Sequence, residues 1–113
     1  MIYYPDRWLV LKFTTAKETF YKLFTTWSGG YCQGDSWKLN SGIKSIEVKD
    51  NRIDFLGYSG SIYSCNFGAQ GNTLYGSGVL SNLVEQASTI GINIETVLFE
   101  DVNELLKILD SSI

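Results

Sequence analysis

The chain has 113 residues, 44% hydrophobic and 14% aromatic, with one proline, a formal charge of −3 and no histidine. That length fits a single domain over residues 1–113 and is too short for two cores, and the composition is that of an ordered protein. The missing histidine excludes histidine-based general-base catalysis, histidine metal ligation and every Ser-His or Cys-His nucleophile pair.

The first residues, 1–7, lack the basic-then-apolar layout of a signal peptide, and no apolar run approaches bilayer-spanning length. The expectation is a cytoplasmic protein with no membrane partner, whose two cysteines, Cys32 and Cys65, stay reduced. Residues 7–13 are rich in aromatic and branched side chains and predict a first strand. Residues 18–27 follow closely enough to pair with it as an antiparallel hairpin. Residues 43–49 and 52–58 flank Asp50-Asn51, two residues that tolerate the positive φ of a tight turn, and predict a second hairpin. A further strand is expected over residues 61–67, ending in a glycine-containing loop.

The hydrophobic period then changes. Val79, Leu80, Leu83, Val84 and Ala87 recur at helical spacing, predicting a helix from about Gly78 to Thr89 that covers one sheet face. Residues 92–99 read as a last strand. Asp101, with Glu104 three residues on, makes a capping-box-like start to a second helix over residues 102–109. The expected fold is therefore α+β, a twisted antiparallel sheet of five or six strands with two C-terminal helices.

The densest functional signal lies in residues 26–42, where tryptophan, tyrosine, glycine and small polar residues alternate. Trp27, Tyr31 and Trp37 offer flat faces for stacking, Lys38 a positive charge, and Asp35, Asn40 and Ser41 hydrogen bonds. That is the kit for a polar, ring-bearing ligand. The same residues also fit a reading in which the tryptophans are core and the glycines are turns. Tyr58-Ser59-Gly60-Ser61 has a similar composition and is expected near the first segment at a sheet end, or as a plain turn. A glycine- and serine-rich run enters the first helix, where Ser77 either caps the helix or meets a phosphate. Its spacing matches neither a P-loop nor a dinucleotide fingerprint, so no cofactor is expected. Asp35 beside Lys38 reads as an acid/base pair that Asp54 or Glu47 could approach, or as carboxylates on a solvated face.

Charge divides unevenly along the chain: residues 1–80 carry eight Lys/Arg and six Asp/Glu, residues 81–113 one and six. This argues against a non-specific nucleic-acid binder, leaves room for one small anion near the basic part, and fits an acidic third that is either a solvated outer face or a surface for a basic protein.

Trp27-Ser28-Gly29-Gly30-Tyr31, the run from Asp35 to Ile43, and the opening Tyr4-Pro5-Asp6-Arg7-Trp8 resemble small accessory proteins of tailed bacteriophages. The resemblance covers roughly the first 80 residues and implies a phage protein made inside a bacterial host. It further implies action by binding: sequestration of a small nucleotide-derived immune signal without turnover, by a homo-oligomer because so small a domain has limited room to enclose a ligand. The alternative is inhibition of a host defence protein through the acidic third, around Glu100, Asp101 and Glu104.

Overall fold

The computed structural model describes residues 1–28 and 35–112. In chain order its elements are β1 (Ile2–Tyr3), β2 (Arg7–Thr14), β3 (Thr19–Trp27), β4 (Ser36–Leu39), β5 (Ile43–Lys49), β6 (Arg52–Gly57) and β7 (Ile62–Asn66). A single 3-10 turn (Phe67–Ala69) leads to α1 (Leu74–Ser88), then β8 (Asn93–Val97) and α2 (Val102–Ser112). The class is α+β. The strands form two four-stranded sheets, ordered β1-β7-β6-β5 and β4-β3-β2-β8. All pairings are antiparallel except the short parallel contact of β1 with β7.

Both predicted hairpins form. Four residues join β2 to β3, where the Thr15 hydroxyl accepts from the Lys17 and Glu18 amides and fixes the turn. Lys49 pairs with Arg52, so Asp50 and Asn51 alone make the β5–β6 turn, and Asp50 takes the expected positive φ of 48°. In β2 the faces alternate. Trp8 and Val10 join Leu23, Ile53, Phe55, Tyr63 and Cys65 in a core between the two sheets, whereas Leu9, Leu11 and Phe13 join Phe24 and Ile94 beneath α1. A central strand buried on both faces must be apolar at nearly every position, which is why residues 8–11 read as a continuous hydrophobic run, broken only at the half-buried Lys12 before Phe13.

The layers are therefore α1, the β4-β3-β2-β8 sheet, and the β1-β7-β6-β5 sheet. Leu105 of α2, with Val102 and Ile108 beside it, packs into the inter-sheet core, next to β5. Val79, Leu80, Leu83, Val84 and Ala87 line the predicted apolar stripe of α1.

Three expectations need correction. There are two sheets, not one of five or six strands, because the chain leaves the first sheet after β4 and enters the second at β5. Asn40 makes the crossing. Its backbone amide donates to the Leu23 carbonyl, its side-chain oxygen accepts from the Leu23 and Gly42 amides at 2.8 and 3.2 Å, and Gly42 then turns with φ +126°. A side chain at Gly42 would also press on the Tyr58 ring at 3.0 Å. Second, α1 starts four residues before the expected Gly78, at Leu74, with Thr73 as its N-cap accepting from the Gly76 amide at 2.9 Å. Third, residues 36–39, inside the site-like segment 26–42 and assigned to no strand by the sequence pattern, form strand β4 along the edge of β3.

Candidate functional site

The residues expected to bind a ligand do not converge on one surface. Trp27 packs against the inter-sheet core, meets Tyr3 edge-on at 6.2 Å, and donates its indole N–H to the Tyr4 carbonyl at 3.0 Å. Trp37 lies on the opposite face of the same sheet, stacked on Phe24 at 5.7 Å. Lys38 points back to the first face, its ammonium 5.2 Å from the centre of the Tyr3 ring. Asn40 is buried and its amide is spent on the backbone crossing described above. Ser41 accepts from the Ser59 amide at 2.9 Å, so the Tyr58–Ser61 turn does lie beside this segment, joined to it by a structural hydrogen bond. Asp35 sits at the start of β4, half-buried. Ser77 is exposed in the first turn of α1, where Thr73 holds the capping role considered for it. Tyr31 and Cys32 lie outside the described residues.

A different set of side chains does converge. Arg7 and Arg52, the chain's two arginines, line one concave polar cleft of about 460 Å3 together with Pro5, Asp6, Asn66 and Gly68. It lies at the end of the sandwich where the β1–β2 linker, the start of β6 and the β7–α1 connection meet.

Each wall is held from behind. The Asp6 amide donates to the Thr26 carbonyl at 3.0 Å, the Asp6 carboxylate accepts from the Ser28 amide at 2.8 Å, and the Trp27 indole holds Tyr4. The opposite wall is fixed by the buried Trp8, whose indole donates to the Asn66 carbonyl at 2.7 Å, and by Asn66, whose side chain accepts from the Gly68 amide at 2.9 Å. Trp27 thus braces the linker that forms one wall of the cleft. Fixed walls matter because ordering a site before the ligand arrives removes that cost from binding.

Both guanidiniums keep donors for a ligand. Arg52 gives Nε to the Ser64 hydroxyl at 2.9 Å and Nη2 to the Ser64 carbonyl, leaving Nη1. Arg7 gives Nη2 to the Gln70 carbonyl at 3.1 Å, leaving Nε and Nη1. Among the described residues neither arginine is in an ion pair; the ion pairs found run from Lys49 to Glu47 and Asp54. Arg52 also lies over the Tyr4 ring at 5.6 Å, and that ring is 62% exposed.

The remaining features are less suited to chemistry. Cys65 is free, fully buried between the sheets, and its thiol is pushed up to about 12 by that burial, so it is no thiolate nucleophile. Among the described residues no three metal-ligating side chains cluster, and no helix is long and apolar enough to cross a membrane. Two apolar grooves flank α1, one beside Leu9, Leu80 and Val84 and one beside Phe13, Leu83 and Ile94. In the acidic third, the Asp101 carboxylate accepts from the Glu104 amide at 3.0 Å, so it caps α2 as its spacing predicts.

The arginine cleft was missed because its parts read as strand ends and hairpin flanks. The usable signal was choice of cation: seven of the nine basic residues are lysine, and the two arginines stand beside turn residues. Arginine's planar fork is the better match to an oxyanion. No family model, curated protein or solved structure matches the chain.

Proposed function

We propose that the protein binds a small anionic ligand in the Arg7–Arg52 cleft and does not turn it over. The observation that carries this reading is two arginines, in no ion pair among the described residues, lining one cleft whose walls are tied to the core. Two arginine forks around one cleft suit an oxyanion, because each can offer parallel N–H donors to two oxygens. The residues lining the cleft include no hydroxyl, thiol or imidazole, and its one carboxylate, Asp6, keeps one oxygen on the Ser28 amide and can offer the ligand only the other, an arrangement for holding a ligand rather than for turning it over. In the phage setting that the sequence resemblance implies, the ligand is a nucleotide-derived immune signal and the function is its sequestration.

Calorimetric titration with inorganic phosphate, AMP and a cyclic dinucleotide tests the reading. Binding is expected to weaken with rising salt, and Arg7→Gln to lose about tenfold or more in affinity, the loss expected for one charge-assisted contact. Among the described residues the Arg7 side chain bonds one exposed carbonyl, so this variant is expected to keep its fold. Wild-type affinity in Arg7→Gln, or no binding of any of the three anions, overturns the proposal.

A further inference from the structure

The cleft is not a uniformly positive bowl. Asp6 lines it with the two arginines, and a bare oxyanion seated there would face that carboxylate as a like charge. Among the described residues only one oxygen of Asp6, Oδ2, is engaged, with the Ser28 amide. The other is an acceptor awaiting a donor, and a ligand that supplies a hydroxyl or amino group turns the repulsion into a hydrogen bond. The cleft, about 460 Å3 and open to solvent, has room for a whole small molecule rather than a lone tetrahedral ion. Beside it stands the exposed ring of Tyr4, held over Arg52 and anchored through its own carbonyl to Trp27. An aromatic face at the rim of an anion site is a stacking platform for a planar ring.

From these three features we infer that the occupant is a nucleoside monophosphate or a close analogue. Its phosphate lies between Arg7 and Arg52, a sugar hydroxyl donates to Asp6, and the base stacks on Tyr4. This rests on the reading above that the cleft binds an anion, and it assigns the three parts of the ligand to three different residues.

Titrating inorganic phosphate, ribose 5-phosphate, AMP and adenosine at one ionic strength separates the two levels. The expected order is AMP, then ribose 5-phosphate, then phosphate. AMP should exceed ribose 5-phosphate by about tenfold, the size of one base–aromatic stack. Adenosine, lacking the anion, should bind most weakly. Tyr4→Leu should weaken AMP by that factor and leave ribose 5-phosphate unchanged. Asp6→Asn is the most telling variant, because its effect should change sign with the ligand: tighter phosphate, as a like charge is removed, and weaker AMP, as an ionised acceptor is lost. If AMP binds no more tightly than phosphate, or Asp6→Asn tightens both, the nucleotide assignment fails while the anion site stands. If phosphate, ribose 5-phosphate and AMP all fail to bind, the site itself fails and the assignment with it.

Discussion

Two glycines two residues apart in α1 have opposite surroundings, and exchanging each for alanine should move stability in opposite directions. Neither has a positive φ, so neither substitution strains the backbone. At Gly76 an added Cβ would run into the Asn72 side-chain oxygen and sit 2.5 Å from Thr26 Cγ2, a methyl on a buried strand residue that cannot swing away. At Gly78 nothing lies within 4 Å. Replacing a helical glycine by alanine gains about 0.5–1 kcal/mol of helix propensity. Forcing an extra carbon into a filled contact costs about 1–3 kcal/mol. Gly78→Ala should therefore stabilise by the first amount alone. Gly76→Ala should destabilise by about 1–2 kcal/mol, the difference of the two terms. At about 4 °C per kcal/mol for a domain of this size, thermal denaturation should show Gly76→Ala melting some 4–8 °C lower and Gly78→Ala about 2–4 °C higher. A Gly76→Ala protein as stable as Gly78→Ala would refute the claim that α1 sits on β3 at closest approach through Gly76.

The Thr26 hydroxyl is buried with no hydrogen-bond partner among the described residues, so Thr26→Val should raise the urea midpoint, by about 1 kcal/mol of stability, as an unsatisfied polar atom is replaced by a methyl. Asn40→Ala should cost about 3 kcal/mol by leaving the buried Leu23 amide without its acceptor, while anion affinity of the folded fraction stays at the wild-type value. A matching fall in affinity would return Asn40 to the binding site. Burial raises the folded-state pKa of Cys65 from 9.0 to about 12. The unfolded thiol therefore ionises first, and the stability held below pH 9 should decline by up to about 1.4 kcal/mol per pH unit between 9 and 12. Denaturant melts of wild type and Cys65→Ala across that range check the sign. Equal alkaline slopes in the two proteins would remove Cys65 as the cause.

Strands whose pattern is local were legible in the sequence. The apolar run of β2, the Asp50-Asn51 turn and the helical stripe from Val79 to Ala87 each state their structure within a few residues, because hydrogen-bonding turn residues and side-chain period act at short range. What joins distant segments was not. The division into two sheets depends on the Asn40 side chain meeting Leu23, a contact set by tertiary packing. β4 was hidden because its four residues, three of them exposed, carry no alternation a single strand needs to display at a sheet edge. The first five residues of α1 include Gly76 and Gly78, which weaken the propensity signal, yet the close approach to Thr26 demands the former. The same division holds for function. Residues 26–42 have a site-like composition, but Trp27 and Asn40 turn out to brace the scaffold, while the cleft assembles Arg7 and Arg52 from opposite sheets and no window of sequence contains both.

The order in which the strands leave the ribosome sets a separate demand on this protein. β2 is central in its sheet only because β8 pairs with it, Val10 against Val97 through Thr14 against Asn93. Until residue 97 has been synthesised, that flank of β2 is an open row of amides and carbonyls beside some of the most apolar residues of the chain, the kind of template on which nascent chains pair with one another. The hairpin β2–β3 can form early, since its contacts are local, but it does so with an unprotected border for most of translation. Solubility during synthesis then depends on how fast the last third folds back, and a chain stopped within α1 would expose a strand that the finished protein keeps inside.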